Sequence, residues 1–162
     1  MKFIAAILMI SLLLAGCGAE ETMETVADEL VLPVMAQPKN IHVTLPGETA
    51  LPVMESDNGR IYVCEDYEVV IQNYPSGDLN ATIEELSGYT MDRLTVITTQ
   101  QDGMDRYDFV WASAAEQGDQ LGRGVILDDG VYHYVMTLLR SAEKADASPV
   151  VWDGVFSSFR LV

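Results

Sequence analysis

The sequence predicts an α+β domain: an α-β-α sandwich in which a mostly antiparallel sheet of six to seven strands carries helices on both faces. Three observations predict it. Asn58-Gly59, Asp102-Gly103 and Asp129-Gly130 each fall between two apolar runs, the pattern of a tight antiparallel hairpin. Two segments, opening at Asp78 and at Ser148, repeat apolar residues at helical spacing. The run Tyr132–Leu139 is apolar on both alternating faces, as in a strand covered from two sides.

Taken along the chain, His42 lies in a first strand. Asn58-Gly59 joins Ala50–Met54 to Arg60–Cys64. Tyr67–Tyr74, rich in Val, Ile and Tyr, is the next strand and closes at Pro75-Ser76-Gly77. Leu79, Ile83 and Leu86 recur at i, i+4 and i+7, with Asp78 as N-cap and Gly88 past the end. Asp102-Gly103 joins Leu94–Gln101 to Met104–Ser113, and Asp129-Gly130 joins Leu121–Asp128 to Val131–Leu139. Ser148-Pro149 opens the last helix, where Val151, Val155 and Phe159 repeat every fourth residue. Gly154 weakens that helix by about 1 kcal/mol.

The chain has 162 residues, 9 Lys+Arg against 25 Asp+Glu, and a net charge of −16. Such a surface repels phosphates, so no nucleic-acid partner is expected. Apolar residues make up 49% of the chain, too many for disorder over most of its length. Residues 39–162 therefore form one folded domain.

The N-terminus carries a different message. Lys2 precedes the apolar run Phe3–Leu14, which suits an export signal and is too short to span a bilayer, for which about 20 residues are needed. Leu14-Ala15-Gly16-Cys17 follows directly and resembles the bacterial lipobox, which implies cleavage after residue 16 and a diacylglycerol on Cys17. Residues 1–16 are then a lipoprotein signal peptide, and the bilayer is a partner through the acylated Cys17. Residues 17–38 read as an acidic flexible tether with Glu20, Glu21, Glu24, Asp28 and Glu29, and no base before Pro38. As a coil it averages about 26 Å, and its charge keeps the domain off an anionic lipid surface. With Cys17 lipidated, Cys64 has no intramolecular disulfide partner.

The order of elements resembles the PsbP-like fold, named for the extrinsic photosystem II protein and shared with Ran-binding nuclear import regulators. The resemblance covers about residues 39–162. It rests on Glu84-Glu85-Leu86-Ser87-Gly88, the long hairpins, Tyr132-His133-Tyr134 and Val155-Phe156-Ser157-Ser158-Phe159-Arg160. It implies a non-enzymatic binding or scaffolding role and transfers no ligand residue to this chain.

No catalytic constellation is found. His42 and His133 are the two imidazoles, no Gly-x-Ser-x-Gly elbow occurs, and two scattered His with one free Cys do not make a zinc site. No metal or other cofactor is expected. The calcium candidates are Asp102, Asp105 and Asp108, although turn formation already accounts for Asp102. Gly122-Arg123-Gly124 marks a strand bulge or a close backbone approach. Arg93, Arg106, Arg123 and Arg140 either converge to grip an anion or each pair with a nearby acid. Tyr107, Phe109 and Trp111 share one strand face and either line a ligand groove or pack in the core. The candidate groove is accordingly Tyr107, Phe109 and Trp111 with Arg106 and Arg123.

The functional expectation is a membrane-anchored, extracytoplasmic lipoprotein, a non-catalytic binding or interaction module at the bacterial cell envelope. Its partner would be an envelope protein or a small ligand. The alternatives are an envelope enzyme using Asp105 and Asp108 as acid and base, and a structural assembly lipoprotein.

Overall fold

Strands β7 (Gly118–Asp128) and β8 (Tyr132–Ser141) lie in the middle of the main sheet, and the other described elements are laid out around their ladder. The computed structural model describes residues 36–47, 51–64, 67–115, 118–144 and 149–162. The predicted signal segment, Cys17 and the tether as far as residue 35 lie outside the described residues. The other strands are β1 (Ile41–His42), β2 (Met54–Ser56), β3 (Gly59–Val63), β4 (Glu68–Pro75), β5 (Val96–Gln101), β6 (Met104–Ala115) and β9 (Arg160–Leu161). Among the described residues the α-helices are α1 (Leu79–Ser87) and α2 (Pro149–Ser158). Strands β2-β3-β4-β8-β7-β6-β5 make one seven-stranded sheet, every neighbouring pair antiparallel; β1 and β9 pair separately.

The two faces of the sheet hold two separate cores. Val125, Leu127, Met136 and Leu138 point to one side with Val69 and Ile71 of β4, and Val155, Phe156 and Phe159 from α2 and its end close over them. Ile126 and Val135 point to the other side with Phe109 and Trp111 of β6, beneath Ile83 of α1. Each such side chain, fully buried, contributes about 1.5–3 kcal/mol relative to exposure.

The expected α-β-α sandwich does not form. The domain is mostly antiparallel β, with two helices of nine and ten residues, each reaching part of one face and neither building a helical layer. The inference went too far because double-faced apolarity was read from Tyr132–Leu139 and extended to the whole sheet. It belongs to the central strands. Edge strand β2 is exposed at every residue, and β5 is exposed along its four middle residues.

Most boundaries follow the local chemistry. The Asp78 carboxylate accepts the Asn80 N–H at 3.0 Å, and Gly88 ends α1 in the left-handed region at φ 75°. Asp102 and Gly103, at φ 53° and 80°, form the two-residue β5–β6 turn. Two turns depart from expectation. Ser56 opposes Gly59, so the β2–β3 turn is Asp57-Asn58 and Gly59 starts a strand. A Cβ on Gly59 would press on the Ile71 carbonyl, so close pairing of β3 with β4 needs glycine there. Asp128 opposes His133, which makes the β7–β8 connection longer than Asp129-Gly130 alone.

That connection also secures the incoming chain. The Asp129 carboxylate accepts the Val131 and Tyr132 N–H groups, receives the Tyr134 hydroxyl at 3.2 Å and pairs with the Lys39 ammonium at 2.9 Å. The Lys39 N–H donates to the Tyr134 Oη, and the Tyr132 hydroxyl donates to the Ala36 carbonyl. Burial works against ionising Asp129, but Lys39 and the two backbone donors together outweigh it and hold the carboxyl down at about 2. A carboxyl depressed in the folded state stabilises it above the unfolded value near 3.8, and that stability is lost as pH falls towards 2. Denaturant titrations from pH 5 to 2 are expected to show a drop in stability between pH 4 and 2. Asp129→Asn should be less stable at neutral pH and should lack that portion of the acid dependence.

The Gly122-Arg123-Gly124 run is a close approach. Gly122 opposes Trp111 and Gly124 opposes Phe109 across the β6–β7 ladder, and the two stacked rings lie directly over these glycines. A methyl at either glycine would fall inside the facing ring. Gly122→Ala and Gly124→Ala should each lower stability by about 2 kcal/mol through overpacking, measured by chemical denaturation.

Candidate functional site

Residues of β6, β7 and β8 alternate between faces, and this alternation divides the residues that the sequence suggested as one groove. Phe109 and Trp111 point towards α1 and are 2% and 7% exposed, so they are core side chains. Tyr107 lies on the same side, half-buried, its hydroxyl pKa raised by burial and by the nearby Asp105 and Asp128 carboxylates. Arg106 and Arg123 point the other way, towards α2. The sheet itself separates the aromatic row from the arginines, so the five residues do not form one site.

Arg106 has a structural task. Its guanidinium grips Asp108 bidentately, at 2.6 and 2.9 Å, and also donates to Gln101 Oε1 and to the Phe156 carbonyl. Gln101 Nε2 donates to the Phe159 carbonyl at 2.9 Å. Together they satisfy backbone acceptors around the C-terminal end of α2, where a cation also meets the negative end of the helix dipole.

The calcium candidates separate in the same way. Asp102 sits in the β5–β6 turn, Asp105 faces the α1 side with Gln100, and Asp108 faces the α2 side on Arg106. Among the described residues, no group of three or more His, Cys, Asp or Glu side chains is placed to hold a metal ion. Asp105 and Asp108 lie on opposite sides of β6 and cannot share a substrate as acid and base.

His133 is fully buried on the α1 side of β8. Its Nδ1 lies 2.9 Å from the Thr82 hydroxyl of α1, and its Nε2 lies 3.5 Å from Asp128 Oδ2. It acts as a polar strut between helix and sheet. Cys64 is half-buried beside Tyr67, whose hydroxyl pKa is raised by burial and by the neighbouring thiol.

A concave site does occur between the sheet and α2. It is a groove of about 530 Å³, within the size range of small-molecule sites. Val110, Leu121 and Leu138 supply its floor, and Trp152 and Phe156 of α2 supply its wall. Trp152 and Phe156 reach it together because they are one helical turn apart. Arg123 and Arg140 come from neighbouring strands at its polar side, with Asp153 opposite.

Arg123 is held in place from two directions. Its guanidinium carbon lies 4.1 Å above the centre of the Phe156 ring, and its Nη1 is 2.8 Å from Asp153 Oδ1. Asp153 is 71% exposed, so the ion pair orients more than it stabilises, at about 0–1 kcal/mol; the stacking on Phe156 contributes a similar amount. The groove thus presents a preset guanidinium beside an apolar wall, a combination suited to an anion carrying an apolar body.

Of the arginines considered from sequence, Arg123 and Arg140 line one groove and Arg106 does not; Arg93 lies in the 3-10 turn Met91–Arg93. Sequence reasoning missed Leu121, Leu138, Trp152 and Asp153. The signal available was alternation, which puts residues 121 and 123 with 138 and 140 on one face once the β7–β8 register is known.

No family model and no curated protein matches the chain. Among solved structures it is similar to the crystal structure of a Pseudomonas aeruginosa protein of unknown function. The two share 14% identity over 78% of this chain and 86% of that one, with a TM-score of 0.48.

Proposed function

We propose that this protein is a lipid-anchored, extracytoplasmic binding module of the bacterial cell envelope, held by Cys17 and working through the groove beneath α2 without doing chemistry of its own. The groove is the observation that carries the binding role: a preset guanidinium and an apolar wall meet in a space the size of a small ligand. The anchor rests on Leu14-Ala15-Gly16-Cys17 directly behind the apolar run Phe3–Leu14. The acidic tether between them gives the domain reach from the bilayer.

The two halves of the proposal are tested separately. For the anchor, mass spectrometry of the full chain produced in a bacterial host should find a mature N-terminal peptide that begins at Cys17 and carries acyl mass; in the Cys17→Ser chain the acyl mass should be gone. An unmodified cysteine, or cleavage elsewhere, would reject the anchor.

For the groove, Ala112→Trp places an indole in its mouth from an exposed strand position and should leave the fold intact. Small molecules extracted from purified wild-type chain should include one absent from this variant. Identical extracts would remove the groove from the function.

A further inference from the structure

Resting on that binding reading, we infer that the groove takes a single-chain amphiphile with one carboxylate head, the head seated between Arg123 and Arg140 and the chain lying along Val110 and Leu121.

Register places the two arginines. Arg123 opposes Leu138, and Arg140 opposes Leu121, so the arginines are diagonal neighbours on one face of the β7–β8 ladder. Such pairs have backbones about 7–8 Å apart, a spacing that long side chains bridge readily. Two cations lining one groove repel each other, and an anion seated between them removes that cost. Asp153 supplies one negative charge, its carboxylate 2.8 Å from Arg123 Nη1. The described side chains lining the groove therefore sum to one positive charge, which a monoanion neutralises and a dianion would overshoot. In a chain of net charge −16, this local excess of cation stands out from the background. It should draw an anion inwards against a repulsive surface, which favours a singly charged ligand further.

The remaining lining fixes the other end of the ligand. Beside the arginines the floor is Val110, Leu121 and Leu138, and Val110 is 59% exposed. Ile97 of edge strand β5 is equally exposed and lies diagonal to Val110 on the same face, since it opposes Asp108. Val110 and Ile97 thus extend an apolar surface towards the sheet edge, alongside the Asp108 carboxylate that Arg106 holds. A compact anion would leave this surface uncovered, and a neutral apolar molecule would leave the guanidiniums without a counter-ion. A chain with a carboxylate at one end satisfies both.

The test uses the full chain in nanodiscs of phosphatidylcholine, with decanoic acid bearing a diazirine on its chain as the probe and empty nanodiscs as the background. Cross-linked peptides are mapped by mass spectrometry. Labels should concentrate on peptides containing Val110, Leu121 or Trp152, and excess decanoate should compete them away while decanol does not. Arg140→Gln should reduce this competed labelling by about tenfold or more, the effect of one charge-assisted hydrogen bond. Arg140→Lys should recover part of it, and Arg93→Gln, a charge loss elsewhere, should change nothing.

Equal competition by decanol, or labelling indifferent to Arg140→Gln in a chain with wild-type melting behaviour, would overturn the carboxylate head and leave the groove as a binding site. Labelling scattered over the chain, with no competed peptide at the groove, would overturn both the ligand class and the binding reading.

Discussion

Strands β7 and β8 bury side chains on both faces, so both faces must be covered. The apolar groups on the two sides belong to different cores: Val125, Leu127 and Met136 to that under α2, Ile126 and Val135 to that under α1. A helix on one side alone would leave the other set in water. This is why two short helices, well separated along the chain, finish on opposite sides of one sheet.

The same constraint explains the glycines. Trp111 and Phe109 are too large to stand beside ordinary β7 neighbours, and Gly122 and Gly124 let their rings lie flat on the ladder. Phe109 and Trp111 are thereby committed to the core under α1. Meanwhile Arg123, between those glycines, is turned to the opposite face, where Phe156 and Asp153 orient it. One three-residue run thus seals one core and arms the groove on the other side.

Charge is used economically within this acidic chain. Lys39 ties the incoming segment to Asp129, Arg106 ties the β5–β6 hairpin to the end of α2, and Arg60 donates to the Ile41 carbonyl. These cations hold elements together. Arg123 and Arg140 differ in opening onto the groove, which gives the binding proposal its polar half. Its apolar half follows from α2 covering the central strands but leaving the sheet towards β5 uncovered, with Ile97 and Val110 exposed.

Local chemistry was readable without the structure. The cap at Asp78, the left-handed Gly88, the Asp102-Gly103 turn, the strand Glu68–Pro75 and the start of the last helix at Pro149 depend on a few adjacent residues, whose conformational preferences act over that range. By the same logic Gly122 and Gly124 could be marked as a close approach, though not what approaches them. The burial of the outer strands, and hence the architecture, was not readable. Whether a strand is covered depends on how far a distant helix extends, and a ten-residue helix covers only part of a seven-stranded sheet. The groove was hidden for the same reason. Alternation says that Arg106 and Tyr107 point oppositely, but only the pairing of Leu121 with Arg140 and the seating of Trp152 and Phe156 bring Arg140 beside Arg123. Sequence alone determined the Asp102-Gly103 turn, the caps of α1 and most of the strand segments, because these are contests between neighbours. Tertiary structure decided which face each side chain serves, because register and helix placement are set by contacts far apart along the chain.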